Sequence, residues 1–380
     1  MKNLALIIAV FCSLTVMAQD DQNIIKALND SEAESHDEED KIDRFDRWAY
    51  SKEEHAAFFY LAPMWQAGSG NDNTAHNIHH DAGVIYRWLM IDNDRYQLNL
   101  HGWVEQTSLW SGSYPKKFSE QLGMISIPSA SDEQDHDVSL ENLYVENFLM
   151  SGKLDLTFGK MDPLFLTSFT NYSGWDKYNY FSKSSASDPV PDIDGGMGFY
   201  TEIHASKSLS FGGMVTDGQQ KNNFLYAPDF SSSLWNYFGF MRFKIGAGKG
   251  LYSDHNLIYY YQGGEGETPS GSGVLYTANQ GLTDDLILIL KFSNGKNRID
   301  KLNAAYVAGL TFKNPLGRNG DQAGFSTMIN SRAGQEEFGM DFYWRFFVNQ
   351  YLNFAPNFQF YRTVNDEFNS VVGLRAFLTY

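Results

Sequence analysis

Residues 73–81, NTAHNIHHD, gather three histidines and an aspartate, all metal-ligand types: His76, His79, His80 and Asp81. Their spacing matches no structural zinc pattern, and the stretch reads as a solvated or rim-packed loop. Asp188 to Asp194, DPVPDID, offers oxygens to calcium without the spacing of a calcium loop. The glycines of YQGGEGETPSGSG, residues 261–273, lack the lysine followed by Ser or Thr that a phosphate loop needs. No G-x-S-x-G elbow occurs, and scattered carboxylates fix no pair separation for glycoside hydrolysis. The expected chemistry is therefore noncovalent, with no metal and no cofactor.

A second set of residues is defined by alternation. Arg345 and Arg375 are each flanked by apolar residues on both sides, and Glu337 and Asp341 share the parity of Arg345. Arg242 and Lys244 alternate with Met241, Phe243 and Ile245; Trp103, Glu105 and Asp155 occupy the polar parity of their own runs. A charge facing lipid near a bilayer midplane costs about 2 to 4 kcal/mol, so these side chains are expected to face a polar interior. Arginines there can meet a polar solute, or can pair with Asp341 or Glu337 and stiffen a wall.

The elements that must position them are strands. In Glu337 to Asn349, Phe338, Met340, Phe342, Trp344, Phe346 and Val348 form one face, against polar or small residues on the other. Leu352 to Phe360, Val371 to Tyr380, Tyr96 to Glu105 and Leu154 to Gly159 repeat the segregation. About 14 strands can be placed from Ala56 onward. Short links at 91–95, 150–153, 204–208, 248–254, 294–300 and 349–350 alternate with long polar links at 107–139, 161–195, 216–234, 262–284 and 313–336. Short turns on one rim and long loops on the other suit a closed antiparallel transmembrane β-barrel, an all-β fold with both ends on the short-turn side. Closure is required because a lipid-exposed edge would strand backbone polar groups.

Composition narrows the setting. Residues 1–18 carry one early lysine, an apolar run and Val16 and Ala18 before Gln19, the form of a secretory signal peptide. Cys12 is the only cysteine and falls within it, so thiol chemistry is excluded after export. The formal charge of −17 argues against nucleic acid as a partner. Residues 19–55 form an acidic arm with a short helix or linker, and 56–380 the barrel.

The chain also resembles the carbohydrate-selective porins of Gram-negative outer membranes. The resemblance is carried by the C-terminal block from Glu336, EEFGMDFYWRFFVNQYLNFAPNFQF, through its G-L-R ending near Tyr380. QLGMISIPSA at 121–130, LYVENFLMSGKLDLTFGKMDP at 143–163 and GGMGFYTE at 195–202 agree with it. It implies a barrel of about sixteen strands, so the two further strands are expected in the 107–139 region. It also implies a passive outer-membrane pore for saccharides, with both chain ends periplasmic, in contact with membrane lipid and lipopolysaccharide, as monomer or homotrimer. Selectivity would come from interior side chains: Arg345, Arg375, Asp341, Glu337, Arg242, Lys244, Trp103, Glu105 and Asp155. The 161–195 link, with Trp175, Asp176, Lys177 and Tyr178, is the expected constriction loop. An outer-membrane lipid hydrolase and a secreted carbohydrate-binding β-protein remain as alternatives.

Overall fold

The computed structural model describes residues 54–70, 73–93, 95–129, 136–163, 180–186, 195–218, 232, 234–245, 251–265, 269–296, 302–318, 320–349 and 351–379. The signal peptide, nearly all of the acidic arm, Trp175 to Tyr178 and Asp188 to Asp194 lie outside the described residues.

Strands β1 (His55–Gly70), β2 (Asn73–Asn93), β3 (Tyr96–Gly112) and β4 (His136–Leu149) lead into β5 (Leu154–Met161), β6 (Gly196–Ser206), β7 (Leu209–Asp217) and β8 (Trp235–Phe243). The second half comprises β9 (Ser253–Gln262), β10 (Gly271–Gly281), β11 (Leu286–Lys296), β12 (Ala304–Lys313), β13 (Gln322–Arg332), β14 (Gln335–Asn349), β15 (Leu352–Arg362) and β16 (Phe368–Thr379). Each strand pairs antiparallel with its sequence neighbours, and β1 pairs with β16 to close the barrel, Tyr60 standing opposite Thr379. The first and last strand residues therefore share one rim.

Alternation decides which side chains enter the interior. On β14, Glu337, Asp341, Tyr343 and Arg345 are buried, while Phe342 and Val348 are exposed. β15 and β16 keep the same order, with Asn357, Gln359 and Arg375 buried against exposed Phe358, Val372 and Leu374. A continuous belt of exposed aromatic and aliphatic side chains is what a barrel presents to lipid. Among the described residues, no helix is long and apolar enough to cross a membrane.

Sixteen strands are present, as the resemblance implied, and three details need correction. The two strands that alternation did not place are β10 and β13, inside the 262–284 and 313–336 links and not in 107–139. Both are rich in small residues because bulky side chains cross over them. A Cβ on Gly324 would stand 2.2 Å from Tyr343 Cε1 and 2.8 Å from the Tyr180 hydroxyl, while one on Gly273 would stand 2.4 Å from the Asn294 carbonyl oxygen of β11 and 2.7 Å from the Tyr260 hydroxyl. With β10 in place, the 294–300 link moves to the rim opposite the chain ends. Finally, NTAHNIHHD is part of strand β2, where His79 and Asp81 are buried and His76 is exposed. Its histidines are divided between the two faces of one strand and cannot converge on one ion.

The 107–139 region instead completes β3 and then turns inward as helix α1 (Pro115–Gln121) and an extended stretch to Ser129. Pro115 at the helix start fits a position whose N–H has no helical partner. A second short helix, α2 (Lys183–Ala186), with Tyr180 to Ser182 before it, also lies inside the barrel.

Candidate functional site in the barrel interior

The interior is organised by two carboxylates of β14. Glu337 accepts hydrogen bonds from the backbone N–H groups of Ile125 (3.0 Å) and Ser126 (2.9 Å). Asp341 accepts from the N–H groups of Phe181 (3.1 Å) and Ser182 (2.8 Å), and from the Asn357 amide at 2.6 Å. Consecutive N–H groups in an irregular segment have no ladder partner, so an ionised carboxylate facing both satisfies them with charge-assisted bonds. The two inward segments are joined where the Lys183 N–H donates to the Ile127 carbonyl at 3.0 Å.

Neutral side chains complete the anchoring. Gln66 and Gln359 both donate to the Pro128 carbonyl at 2.8 Å, from opposite directions along the chain. Asn330 donates to the Ser126 hydroxyl (2.7 Å) and accepts from Ser184 (2.9 Å), while Asn369 donates to the Leu122 carbonyl (2.7 Å). Phe118, Leu122 and Met124 pack on Ala75, Met328, Tyr361 and Val371, and Phe181 and Tyr180 on Met64, Ile289 and Tyr343. Both inward segments thus lie against the wall formed by β11 to β16 with β1 and β2.

The other residues singled out by alternation separate into three groups. Arg375 and Arg345 are buried in the interior; the Arg375 guanidinium carbon stands 4.5 Å from the centre of the Phe181 ring and that of Arg345 5.3 Å from the Phe347 ring. Arg242 pairs with Glu202 at 3.0 Å, and Asp155 lies beside Glu202 in register while accepting from Thr157 at 3.2 Å. Trp103 and Glu105 are also interior, but they meet each other's partner: the Trp103 indole donates to the Tyr60 hydroxyl at 3.0 Å and that hydroxyl donates to Glu105. Trp103 packs with Phe58, Ile85 and Phe377, so it fills the wall and is not a free platform for stacking. Lys244 stands one residue beyond the end of β8, exposed at the chain-end rim, where it and Arg242 both lie in the field of Asp254.

The wall from β6 to β11 has a layered inner face. Near the chain-end rim, Ser210, Arg242, Asn256, Thr277 and Lys291 stand directly across from one another on five successive strands. Above them lies an apolar belt of Met214, Phe238, Phe240, Ile258, Tyr260 and Leu275. Above that belt Thr216, Asn236 and Gln262 form a second polar row. The Asn236 and Asn279 amides and the Thr216 and Thr277 hydroxyls are buried without a hydrogen-bond partner.

The barrel has counterparts among solved structures. The high-pH structure of Pseudomonas putida OprB matches 86% of this chain and 94% of its own, with a TM-score of 0.72 at 13% identity. The fold is a porin fold. A mutant of Rh. blastica porin matches over 86% of this chain and its own full length, with a TM-score of 0.52 at 10% identity. No protein-family model and no curated protein matches the chain.

Within this porin fold, the residues that sequence reasoning missed are mostly uncharged or backbone groups. Ser126, Pro128, Phe181 and Ser182 meet the wall through main-chain atoms, which alternation does not report. Lys291 had a readable signal, standing among Ile289, Leu290 and Phe292 with the buried parity of β11.

Proposed function

We propose that this chain is an outer-membrane channel for passive diffusion of saccharides and other small hydrophilic solutes, with both ends of the barrel chain periplasmic. The observation that carries the reading is the closed barrel whose interior is narrowed by two segments pinned to Glu337 and Asp341. Passive selection needs width, hydrogen-bonding groups and a field, with no covalent step. Arg375 and Arg345 supply fixed positive charge, and the rows around Asn256 and Asn236 supply amide and hydroxyl groups for solute hydroxyls. The apolar belt between the rows suits the less polar face of a sugar ring.

In this reading Glu337 and Asp341 hold the constriction and do not themselves meet solute. The test is single-channel conductance of refolded protein in a planar bilayer, titrated with mono- and disaccharides. Stable steps blocked reversibly by sugar are expected. Folded barrels that give no conductance would overturn the channel and favour the hydrolase alternative, which requires a serine and a histidine together near one leaflet.

A further inference from the structure

The chain-end rim combines apolar and basic residues in an unusual way. Met150, in the β4–β5 turn, has φ 55 and Leu316, in the β12–β13 turn, has φ 58. This left-handed region ordinarily takes glycine or asparagine, and bulky residues enter it at a cost. Yet Met150 is 59% and Leu316 84% exposed, so neither is repaid by packing within the chain. Ile245 and Leu282 likewise leave apolar side chains exposed at the turns after β8 and β10. An apolar surround for these turns removes the contradiction, and the lipid-facing belt reaches down to them.

Three consecutive turns add positive charge. Lys153 follows β4, Lys207 follows β6 and Lys244 follows β8, each within three residues of an exposed apolar side chain: Met150, Leu209 and Ile245. Described residues of these turns include no carboxylate, in a chain whose formal charge is −17. The nearby carboxylates Glu146, Asp155, Glu202 and Asp254 belong to the inner face, where Arg242 and Ser210 hold Glu202, His101 and Asn99 hold Glu146, and Arg242 and Lys244 both lie in the field of Asp254 at the start of β9. Among the described residues, the other carboxylates of the chain-end rim lie outside this sector, at Glu54 before β1, at Asp92 in the last turn-side residues of β2, at Asp284 and Asp285 after β10, and at Asp321, which Arg318 holds at 2.6 Å. Turns separated by two strands are about 10 Å apart, a spacing at which each can serve its own lipid.

We propose that the rim sector from β4 to β9 binds the headgroups of anionic phospholipids, with Lys207 and Lys244 as principal contacts and Met150, Leu209 and Ile245 seated in the acyl boundary. The apolar stems of lysine lie along hydrocarbon while their ammonium groups reach phosphate. The inference rests on the barrel being membrane-embedded, as proposed above, but not on which solute passes.

The test is native mass spectrometry of the folded, detergent-solubilised protein given equal amounts of phosphatidylglycerol and phosphatidylcholine. Preferential retention of phosphatidylglycerol is expected, reduced several-fold in the double variant Lys207→Gln, Lys244→Gln. Both residues are exposed, and heat-modifiable electrophoretic mobility checks that the barrel persists. A control pair on the opposite rim, Lys296→Gln with Arg362→Gln, should keep the preference. Equal retention of the two lipids by the unaltered protein, or equal loss in both double variants, would overturn the proposal. A mature chain that stays folded and monodisperse without detergent would instead overturn the membrane reading itself.

Discussion

Glu337 and Asp341, four residues apart on the inner face of β14, each hold two consecutive backbone N–H groups of a different inward segment. One strand therefore positions both segments that narrow the barrel, and the Lys183 to Ile127 bond makes them a single body.

Neutralising either anchor should loosen the constriction while leaving the barrel closed. Hydrogen bonds to a charged acceptor contribute about 1.5 to 3 kcal/mol each. Glu337→Gln and Asp341→Asn keep size but weaken the acceptor, so a larger or noisier open-channel current is expected in bilayers. Unchanged current and noise in both variants would show that the neutral anchors at Pro128 and Ser126 suffice.

Arg375 should matter more to solute block than Arg345, because its guanidinium lies over Phe181 within the inward segment. Arg375→Ala is expected to alter sugar block and ion selectivity together. Arg345→Ala, whose ring contact is on its own strand, should change ion selectivity with a smaller effect on block. Reversal of that order in current-block titrations would place the solute path along β14.

Gly324 should not tolerate a side chain. Gly324→Ala puts a methyl into Tyr343 and the Tyr180 hydroxyl, an overpacking expected to cost about 1 to 3 kcal/mol in urea unfolding from micelles. Gly239, on β8, has nothing within 4 Å of its Cβ position, and Gly239→Ala should shift the midpoint little.

The outer face can be probed at the middle of β14. Phe342→Arg sets a charge on an exposed apolar position and should lower stability in bilayers by about 2 to 4 kcal/mol, measured by urea titration in vesicles. A matched Phe342→Leu change should cost much less. Equal costs would mean that this part of the strand does not face hydrocarbon.

The strand parities of β14, β15 and β16 could be read directly from sequence, because alternate side chains must point to opposite faces whatever the strand packs against. That parity placed Glu337, Asp341, Arg345 and Arg375 inside before any contact was known. β10 and β13 could not be read this way: Gly324 answers to Tyr343 and Tyr180, and Gly273 to the close backbone of β11 together with Tyr260, and local hydrophobicity carries no trace of those demands.

What the sequence alone determined was a closed barrel and the facing of its charged residues, since both follow from local alternation and the need to pair every backbone group in lipid. Only tertiary structure decided what those residues face. Glu337 lies 211 positions from Ser126, and Asp341 lies 159 from Ser182. Alternation specifies a direction from the wall but is silent about the distant backbone that folds back to meet it, and that return made anchors of two carboxylates that parity alone offered as solute contacts.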